Sequence, residues 1–245
     1  MYLLGIDFET CGLDPEKDRV IEVGAALWNT ETKKATLVYN ALIKGIEVSP
    51  EITKLTGISN EELSRFGKPP EVVFLELLQL YFMDDAIVAH NGTEFDRKFF
   101  QAEIKRLAPH PNDDIDVFSE FEDTKPWIDT LTDVDFEDDP KHKNLTYLSA
   151  VHGFVNPFPH RAFSDALSML KILSNYDINA VLDSASKPIV TLWANVHISD
   201  KDKPKGLGYR WEPLQKRWLK KVKEHKVQGE MDAARKLEFV PVVLK

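Results

Sequence analysis

The residues best placed to do chemistry in this 245-residue chain are four carboxylates and one histidine, spread over three short segments. Carboxylate oxygens are the ligands that hard divalent cations such as Mg²⁺ prefer. Four of them could neutralise two such ions about 4 Å apart, the spacing that clamps a phosphate during in-line displacement. An imidazole adds a group that can take a proton from water near neutral pH. Together these residue types predict hydrolysis of a phosphodiester. The five residues are Asp7, Glu9, Asp96, His160 and Asp165.

The first two carboxylates follow an apolar run, residues 2–6, that predicts a buried strand. Residues i and i+2 of a strand project from the same face, so Asp7 and Glu9 would lie side by side. Two acids on one face of a core strand repel each other and are costly to desolvate unless a cation lies between them. The alternative is a solvated strand end, which the Asp-x-Glu triplet alone would favour because such triplets are common.

His160 and Asp165 are separated by five positions, which places them about 140° apart around a helix. Both can reach one site only if His160 lies in a loop or first turn and Asp165 lies within the helix. Pro157 and Pro159 support this arrangement, because they disfavour helix before residue 160. The alternative is a surface histidine and an aspartate that merely complements the helix dipole. The pair alone does not discriminate between the two.

The three segments taken together resemble the three exonuclease motifs of the DnaQ-like, DEDD-type 3′→5′ exonucleases, the group that contains bacterial proofreading subunits. The form His-x-Ala-x-x-Asp, at residues 160–165, is similar to the histidine subclass. The resemblance extends over roughly residues 1–182 and includes residues 10–23, 49–58 and 89–96. No catalytic position that the family pattern expects is substituted. Each motif alone is weak, but five matches in the right order make coincidence very improbable.

The resemblance implies a metal-dependent exonuclease that releases nucleoside 5′-monophosphates from 3′ ends. It makes His160 the general base that activates water. It makes the four carboxylates ligands of two Mg²⁺ (or Mn²⁺) ions, and these ligands are Asp7, Glu9, Asp96 and Asp165.

Substrate-binding roles are also implied by the resemblance. Thr10 would hold the terminal sugar, and His90 and Asn91 would line the pocket for the terminal nucleotide. All three have a structural alternative. Asn91-Gly92 is a turn signal, and a histidine at a strand end is often simply hydrogen-bonded.

The pattern of the first 182 residues predicts a mixed α/β fold. Strands near residues 2–7, 20–29 and 36–43 have short connections and predict an antiparallel meander. Short strands follow at residues 86–89 and 127–131, alternating with helices, as in an RNase H-like mixed sheet flanked by helices. The resemblance implies that topology. Helices are predicted at residues 50–56, 71–82, 94–107, 144–152 and 161–174.

Charge divides the chain into an acidic and a basic part. The net charge is −9, but residues 1–182 carry 17 basic against 32 acidic side chains, whereas residues 183–245 carry 14 against 8, a net of +6. This asymmetry predicts an exonuclease domain over 1–182 and a small basic module over 183–245.

The module contains Trp193, Trp211 and Trp218 among lysines. Residues 208–218 predict two strands around a turn and are similar to small Gly-x-Arg-Trp-x-Pro-x-x-Lys-x-Trp modules appended to other nucleic-acid enzymes. A helix is expected at residues 228–237 and a last strand at 239–244. The tryptophans could stack bases or form the core of a small domain, and we favour the core for at least one of them.

Between the second and third motifs, residues 112–139 contain twelve acids and one basic residue, Lys125. Such a segment could be a cation site, a nucleic-acid mimic or a solvated loop. The solvated loop is the default prediction, because the acids have no regular ligand spacing.

Composition favours a cytoplasmic protein, and the resemblance to replication exonucleases implies a bacterial or phage origin. The sequence has neither a long apolar run nor a signal-peptide pattern, so we expect no membrane association. The single cysteine, Cys11, cannot form an internal disulfide.

The preferred substrate is expected to be the 3′ end of single-stranded DNA, in support of replication or proofreading with a polymerase or another replication protein. An exoribonuclease is an alternative, because the motifs do not encode a test of the 2′-hydroxyl. A non-catalytic binding protein is a second alternative, although it would not need a general base. Residues 79–82 (Gln-Leu-Tyr-Phe) hint at a clamp-binding peptide, but they lie in a helix that is predicted to be buried.

Overall fold

The computed structural model describes residues 1–108, 117–136 and 142–244. The chain divides into two compact units, Met1–Leu182 and Asp183–Lys245. Among the described helices, none is long and apolar enough to cross a membrane.

The first unit is built on a mixed five-stranded sheet of order β3-β2-β1-β4-β5. The first three strands pair antiparallel, and β4 and β5 continue the sheet parallel to β1. The predicted mixed α/β class and its RNase H-like sheet are confirmed, as is the opening meander. The strands are β1 (Tyr2–Thr10), β2 (Val20–Asn29), β3 (Lys34–Leu42), β4 (Ala86–Ala89) and β5 (Trp127–Asp129).

Seven helices accompany this sheet in the described residues, and five of them agree with the predicted positions. Two were not predicted. One is a helix of seven residues that begins with a capping box. In this box the Ser59 side chain accepts the backbone N–H of Glu62, and the Glu62 side chain accepts the backbone N–H of Ser59. The other follows the third motif. The helices are α1 (Pro50–Thr56), α2 (Asn60–Phe66), α3 (Pro70–Tyr81), α4 (Asp96–Leu107), α5 (Leu145–Val151), α6 (Ala162–Leu173) and α7 (Ile178–Ser186).

The side chains of β1 alternate between two different environments. Leu4, Ile6 and Phe8 belong to the core cluster that also contains Phe74 of α3 and Phe99 of α4. The odd-numbered residues face α6, since a β-carbon on Gly5 would lie 2.6 Å from the Leu170 side chain. Asp7 and Glu9 continue this odd-numbered row toward the start of α6, because Asp7 pairs with Gly24, which lies against the backbone of Ala162.

Close contact between α6 and β2 fixes where the third motif begins. A β-carbon on Gly24 would lie 2.1 Å from the backbone of Ala162 and Phe163, so only glycine admits the helix at this distance. Ala162 is fully buried there. The start of α6, and with it Asp165, is therefore held against the sheet by backbone contact.

The segment 79–82 contributes its two middle residues to the core. Leu80 and Tyr81 are buried in α3, and the Tyr81 ring stacks on Phe100 with 6.0 Å between ring centroids. The preferred interpretation of these residues as core is confirmed for Leu80 and Tyr81, whereas Gln79 and Phe82 are exposed.

The acidic segment is only partly a solvated loop. Residues 112–116 and 137–139 lie outside the described residues. Within the described part, Asp129 and Asp133 are each 2 % exposed, and Asp123 accepts hydrogen bonds from Arg97 and Trp127. The solvated-loop prediction is wrong for these three, because each carboxylate accepts N–H donors within the fold: Asp129 accepts from Asn91 and Thr93, and Asp133 accepts from Asp129.

The second unit contains a four-stranded antiparallel sheet of order β7-β8-β6-β9. Its core consists of six buried residues: Leu192, Ala194, Tyr209, Val222, Ala234 and Phe239. The predicted strand pair, helix and final strand are present, while β6 and α8 were not predicted. The elements are β6 (Ile189–Ala194), α8 (Asp202–Gly206), β7 (Arg210–Glu212), β8 (Arg217–Lys223), α9 (Val227–Lys236) and β9 (Val242–Leu244).

Candidate active site

The carboxylates of the first motif lie near the end of β1. Asp7 is half-buried and Glu9 is 9 % exposed. Between them the backbone N–H of Phe8 donates to Asp96 Oδ1 at 3.0 Å. Because Asp96 is the first residue of α4, this bond ties the start of that helix to β1 and brings the second motif beside the first.

The third motif adopts the arrangement that its prolines predict. His160 lies in the turn before α6, and Asp165 lies in the first turn of that helix. Asp165 Oδ2 accepts the backbone N–H of His160 at 3.1 Å, and Asn156 donates its side-chain amide to Oδ1. His160 has a left-handed backbone, with φ of 62°. Non-glycine residues adopt this conformation rarely, and such positions concentrate at functional sites.

All eight residues singled out from the sequence line one cleft of about 220 Å³. The cleft lies within the first unit, and its walls add the apolar side chains of Leu13, Ile52 and Leu55. The eight residues are Asp7, Glu9, Thr10, His90, Asn91, Asp96, His160 and Asp165.

Burial and mutual repulsion raise the pKa values of the clustered acids. Burial, followed by the charge of Asp165, raises the pKa of Glu9 to about 8. Burial raises the pKa of Asp96 to about 7, although the N–H of Phe8 opposes this. The pKa values of Asp7 and Asp165 are also raised, again first by burial. These carboxylates are therefore crowded beyond what neighbouring protein cations compensate.

The donor set fits a divalent cation. One ligand atom each from Glu9, His160 and Asp165 lie within 4.8 Å of one another. Asp7 and Asp96 are outside that compact group but line the same cleft. A bound cation would favour the ionised carboxylates and relieve their repulsion, and a set dominated by carboxylate oxygens suits Mg²⁺ or Mn²⁺.

His90 has both ring nitrogens engaged within the protein. Nε2 lies 2.8 Å from the carbonyl oxygen of Lys143, and Nδ1 lies 2.9 Å from Thr130 Oγ1. Because a carbonyl only accepts, Nε2 must carry the proton and Nδ1 must accept from the Thr130 hydroxyl. Burial lowers the pKa of His90, which favours this neutral form. The ring can offer the cleft its surface but no spare hydrogen bond.

The other two residues assigned to substrate line the same cleft, although Thr10 is only 6 % exposed. Asn91 is exposed and has a left-handed backbone with φ of 61°. Its N–H donates to Asp129 at 2.8 Å, which orients the turn after β4. Thr10 donates its hydroxyl proton to the carbonyl of Gly12, so its oxygen can still accept a hydrogen bond from a sugar hydroxyl.

Glu22 is a site-positioning residue to which the sequence analysis assigned no role. It is fully buried on β2, directly opposite Glu9. Its carboxylate accepts from Arg161 Nη2 at 2.7 Å and from the backbone N–H of Ala162 at 2.9 Å. The pair clamps the residue after His160 to the sheet. The available signal was a single charge within the otherwise apolar run of residues 20–28.

Asp129 is a second positioning residue that sequence analysis did not identify. Its carboxylate accepts the backbone N–H groups of Asn91, Thr93 and Leu131. It therefore holds together the turn that leads from β4 to Asp96. No periodicity distinguishes it from the other acids of the segment 112–139.

A sequence model of the Exonuclease family (RNase_T) matches residues 4–173, which include all of the residues above. The chain belongs to this exonuclease family. The resemblance to DnaQ-like exonucleases that the three motifs indicated is thereby confirmed.

Two bacterial relatives of the exonuclease have replication names. The DNA polymerase III PolC-type protein of Thermotoga maritima is 35 % identical over 129 residues, covering 51 % of this chain and 8 % of the relative. The DNA polymerase III subunit epsilon of Treponema pallidum is 28 % identical over 108 residues, covering 43 % of this chain and 47 % of the relative. The chain thus matches less than half the length of either protein.

Solved structures share the fold at low sequence identity. The nuclease domain of 3′hExo, a DEDDh family member bound to rAMP, has a TM-score of 0.56 and 19 % identity. The match covers 71 % of this chain and 90 % of the 3′hExo chain. E. coli Exonuclease I in complex with a dT13 oligonucleotide has a TM-score of 0.57 and 19 % identity. The match covers 71 % of this chain and 40 % of the Exonuclease I chain.

The raised pKa values predict how stability depends on pH and metal. Glu9 and Asp96 hold protons more tightly when folded, since ordinary carboxyl pKa values are about 4. Their contribution to stability is therefore lost as pH rises from about 4 to about 8. In EDTA the Tm should fall across this range, and Mg²⁺, which binds ionised ligands, should raise the Tm more at pH 8 than at pH 5. Differential scanning fluorimetry measures both trends.

The double variant Glu9→Gln, Asp96→Asn provides the control for this measurement. It should flatten the pH dependence in EDTA and abolish the stabilisation by Mg²⁺. An equal Mg²⁺ effect at both pH values would contradict the pKa assignments.

The clamp between Glu22 and Arg161 predicts that substitution of Glu22 lowers turnover, although Glu22 does not contact the substrate. Glu22→Gln removes the charge and places an amide among N–H donors, so the start of α6 should shift. A misplacement of about 1 Å can cost about 10²-fold in rate, so kcat should fall by roughly 10–100-fold while KM changes less.

Glu103→Gln is the matched control for Glu22→Gln. Glu103 is equally buried and accepts two hydrogen bonds from Arg19. Both variants should lose stability, but only Glu22→Gln should lose kcat. Equal kcat values in the two variants would show that Glu22 serves stability alone.

Proposed function

We propose that this chain is a metal-dependent 3′→5′ exonuclease that acts preferentially on single-stranded DNA and releases nucleoside 5′-monophosphates. The observation that carries the proposal is the convergence of three distant segments, with four carboxylates and an exposed histidine, in one cleft. Membership of the exonuclease family supports it. An intact set of these residues argues against a non-catalytic binding protein.

The carboxylates of Asp7, Glu9, Asp96 and Asp165 would hold two Mg²⁺ or Mn²⁺ ions. When bound, such ions supply positive charge to the scissile phosphate and to the leaving oxygen. The protein's part is to keep the four carboxylates in place against their repulsion. The hydrogen bond from Phe8 to Asp96 and the bonds from Asn156 and His160 to Asp165 support that role.

His160 is the proposed general base. Its side chain is exposed in the cleft, while its backbone N–H is held by Asp165. The imidazole takes a proton from water as the water oxygen bonds to phosphorus. The bond from phosphorus to the 3′ oxygen of the preceding nucleotide breaks as the new bond forms, and the 3′ oxygen takes up a proton from solvent to become a 3′-hydroxyl. The phosphate remains on the 5′ oxygen of the departing nucleotide, which makes the product a nucleoside 5′-monophosphate.

Preference for a chain end follows from how deep the acids lie. Glu9 and Asp96 are only 9 % and 2 % exposed, so a phosphate inside a duplex would be obstructed by its complementary strand. A free terminal nucleotide can enter, with its base against Ile52 and Leu55 and its sugar hydroxyl on Thr10. Asn91 and the ring surface of His90 would complete the terminal-nucleotide pocket.

RNA is the second candidate substrate. The nuclease domain of 3′hExo, which shares the fold, is bound to rAMP, whereas E. coli Exonuclease I is bound to dT13. The polymerase III names of the relatives support a role beside a replication polymerase. A cytoplasmic location remains a prediction from the sequence.

Labelled oligonucleotides test reaction, polarity and substrate together. With Mg²⁺ or Mn²⁺, 5′-labelled single-stranded DNA should shorten stepwise from the 3′ end, faster than duplex DNA or RNA, and EDTA should stop the reaction. Asp7→Asn should abolish shortening because it removes a proposed ligand without changing side-chain volume. Glu31→Gln, at an exposed acid, is the control that should retain full activity. Substantial turnover by Asp7→Asn would remove Asp7 from the metal site.

Replacement of His160 separates a general base from a metal ligand. His160→Ala should slow cleavage by about 10²- to 10⁴-fold, the usual contribution of general acid–base catalysis. Its stabilisation by Mg²⁺ should remain close to that of the wild type. His197→Ala, at an exposed histidine of the second unit, should leave the rate unchanged. If His160→Ala instead lost Mg²⁺ stabilisation as fully as Asp7→Asn, His160 would be a ligand.

A further inference from the structure

The sheet of the second unit has two chemically different faces. Leu192, Ala194 and Val222 point to the core, where Ala234 of α9 covers them. Lys220 shares that face, since its ammonium group reaches Glu230 of α9 at 2.5 Å. Residues one position away along each strand must therefore point to the opposite face.

The strand register identifies what lies on that opposite face. One row crosses all four strands, because Leu219 pairs with both Arg210 and Trp193, and Trp193 also pairs with Val242. None of these residues belongs to the core cluster of the unit. The next positions along β8 add Arg217 and Lys221. We call this the Trp193 face, consisting of Trp193, Arg210, Arg217, Leu219, Lys221 and Val242.

The tryptophans of the module divide between the two faces. Trp218 packs against the core cluster, and Trp211 pairs with it at 5.6 Å between ring centroids. The preference for a core role of at least one tryptophan is thereby confirmed. Trp193 is different, since it lies on the opposite face with the Arg217 guanidinium 4.4 Å from its ring centroid.

Charge on this side of the sheet is strongly one-sided. Its described strand residues include four cations, Arg210, Arg217, Lys221 and the buried Lys223, whereas Glu212, which pairs with Arg217, is the one acid among them. Residues 183–245 as a whole carry a net charge of +6. A surface of this charge is complementary to a phosphate backbone.

We propose that the Trp193 face binds single-stranded nucleic acid, with a base stacked beside or on Trp193 and phosphates held by Arg210 and Arg217. An aromatic ring among cations is a sequence-tolerant platform for single strands. On this face Arg210, Lys221 and Val242 are exposed and Trp193 is half-buried. Stacking holds the Arg217 guanidinium flat, so that its N–H edge can reach a phosphate. In the context of the proposed function, this face retains the strand while the cleft removes nucleotides.

Binding without cleavage provides the test. The full chain in EDTA is titrated into fluorescein-labelled oligothymidine, and anisotropy gives Kd at several salt concentrations. Trp193→Leu should weaken binding by about 5- to 150-fold, the range for loss of one stacked base. The double variant Arg210→Gln, Arg217→Gln should make the slope of log K against log salt shallower by about 1.4, from about 0.7 for each phosphate contact on single strands.

Matched controls isolate the face from general charge. Lys201→Gln, Lys205→Gln removes the same charge at two exposed lysines of the same unit. Trp211→Leu removes a tryptophan that is 46 % exposed on the other face. Both controls should bind nearly as the wild type does. If the controls weaken binding as much as the Trp193-face variants, the effect is diffuse electrostatics and the proposal is overturned.

The remaining outcomes separate this proposal from that of the cleft. The Trp193-face variants should cleave a labelled trinucleotide at the wild-type rate, because this substrate is too short to need a second surface. If no cleavage occurs with any metal, but Trp193→Leu still weakens binding, the proposed function fails and this inference stands. If binding is unaffected and Trp193→Leu instead abolishes self-association in sedimentation, the face is a protein interface and the inference fails.

Discussion

Repulsion among buried carboxylates is the constraint on which the rest of the first unit depends. Asp7, Glu9, Asp96 and Asp165 each have a raised pKa, chiefly because burial disfavours their charge. Left to themselves, such groups would separate or take up protons. The fold prevents separation. The free energy of repulsion that the metal-free protein carries is relieved when a cation binds, and this relief adds to the affinity for cations.

The acids are held by backbone groups more than by neighbouring side-chain charges. Asp96 is bonded to the N–H of Phe8, and Asp165 to the N–H of His160. Glu22 uses the N–H of Ala162 in the same way, and Gly24 lets that segment reach the sheet. Backbone donors fix position without supplying a full positive charge, so the cleft keeps a negative potential that a side-chain cation would have cancelled.

The two units differ in charge in the way that the proposed nuclease activity requires. An acidic cleft suits metal ions but not a polyanion, since residues 1–182 carry 32 acids against 17 basic side chains. The basic residues are proportionally more numerous in the second unit, where the Trp193 face places Arg217 over an aromatic ring. Cations placed inside the cleft would compete with the metals, whereas cations on a separate sheet do not. Under the two proposals, this physical division would allow a chain with a net charge of −9 to act on nucleic acid.

The sequence by itself determined the local geometry of the site. Alternation along a strand places Asp7 and Glu9 on one face, and the prolines before His160 keep it outside the helix that carries Asp165. The meander and five helices were equally predictable, because periodicity and turn residues act within a few positions.

Only the tertiary structure decided the remainder. The bond between Glu22 and Arg161 spans 139 positions, and His90 meets its second partner 53 positions away. The tertiary structure also showed that Trp193 and Trp218 lie on opposite faces of the sheet. The sequence of β6 has no clear alternation, so only its register with β8 identifies these faces. Long-range pairing leaves no period in a sequence, so buried charges, satisfied histidines and sheet faces become visible only once the chain is folded.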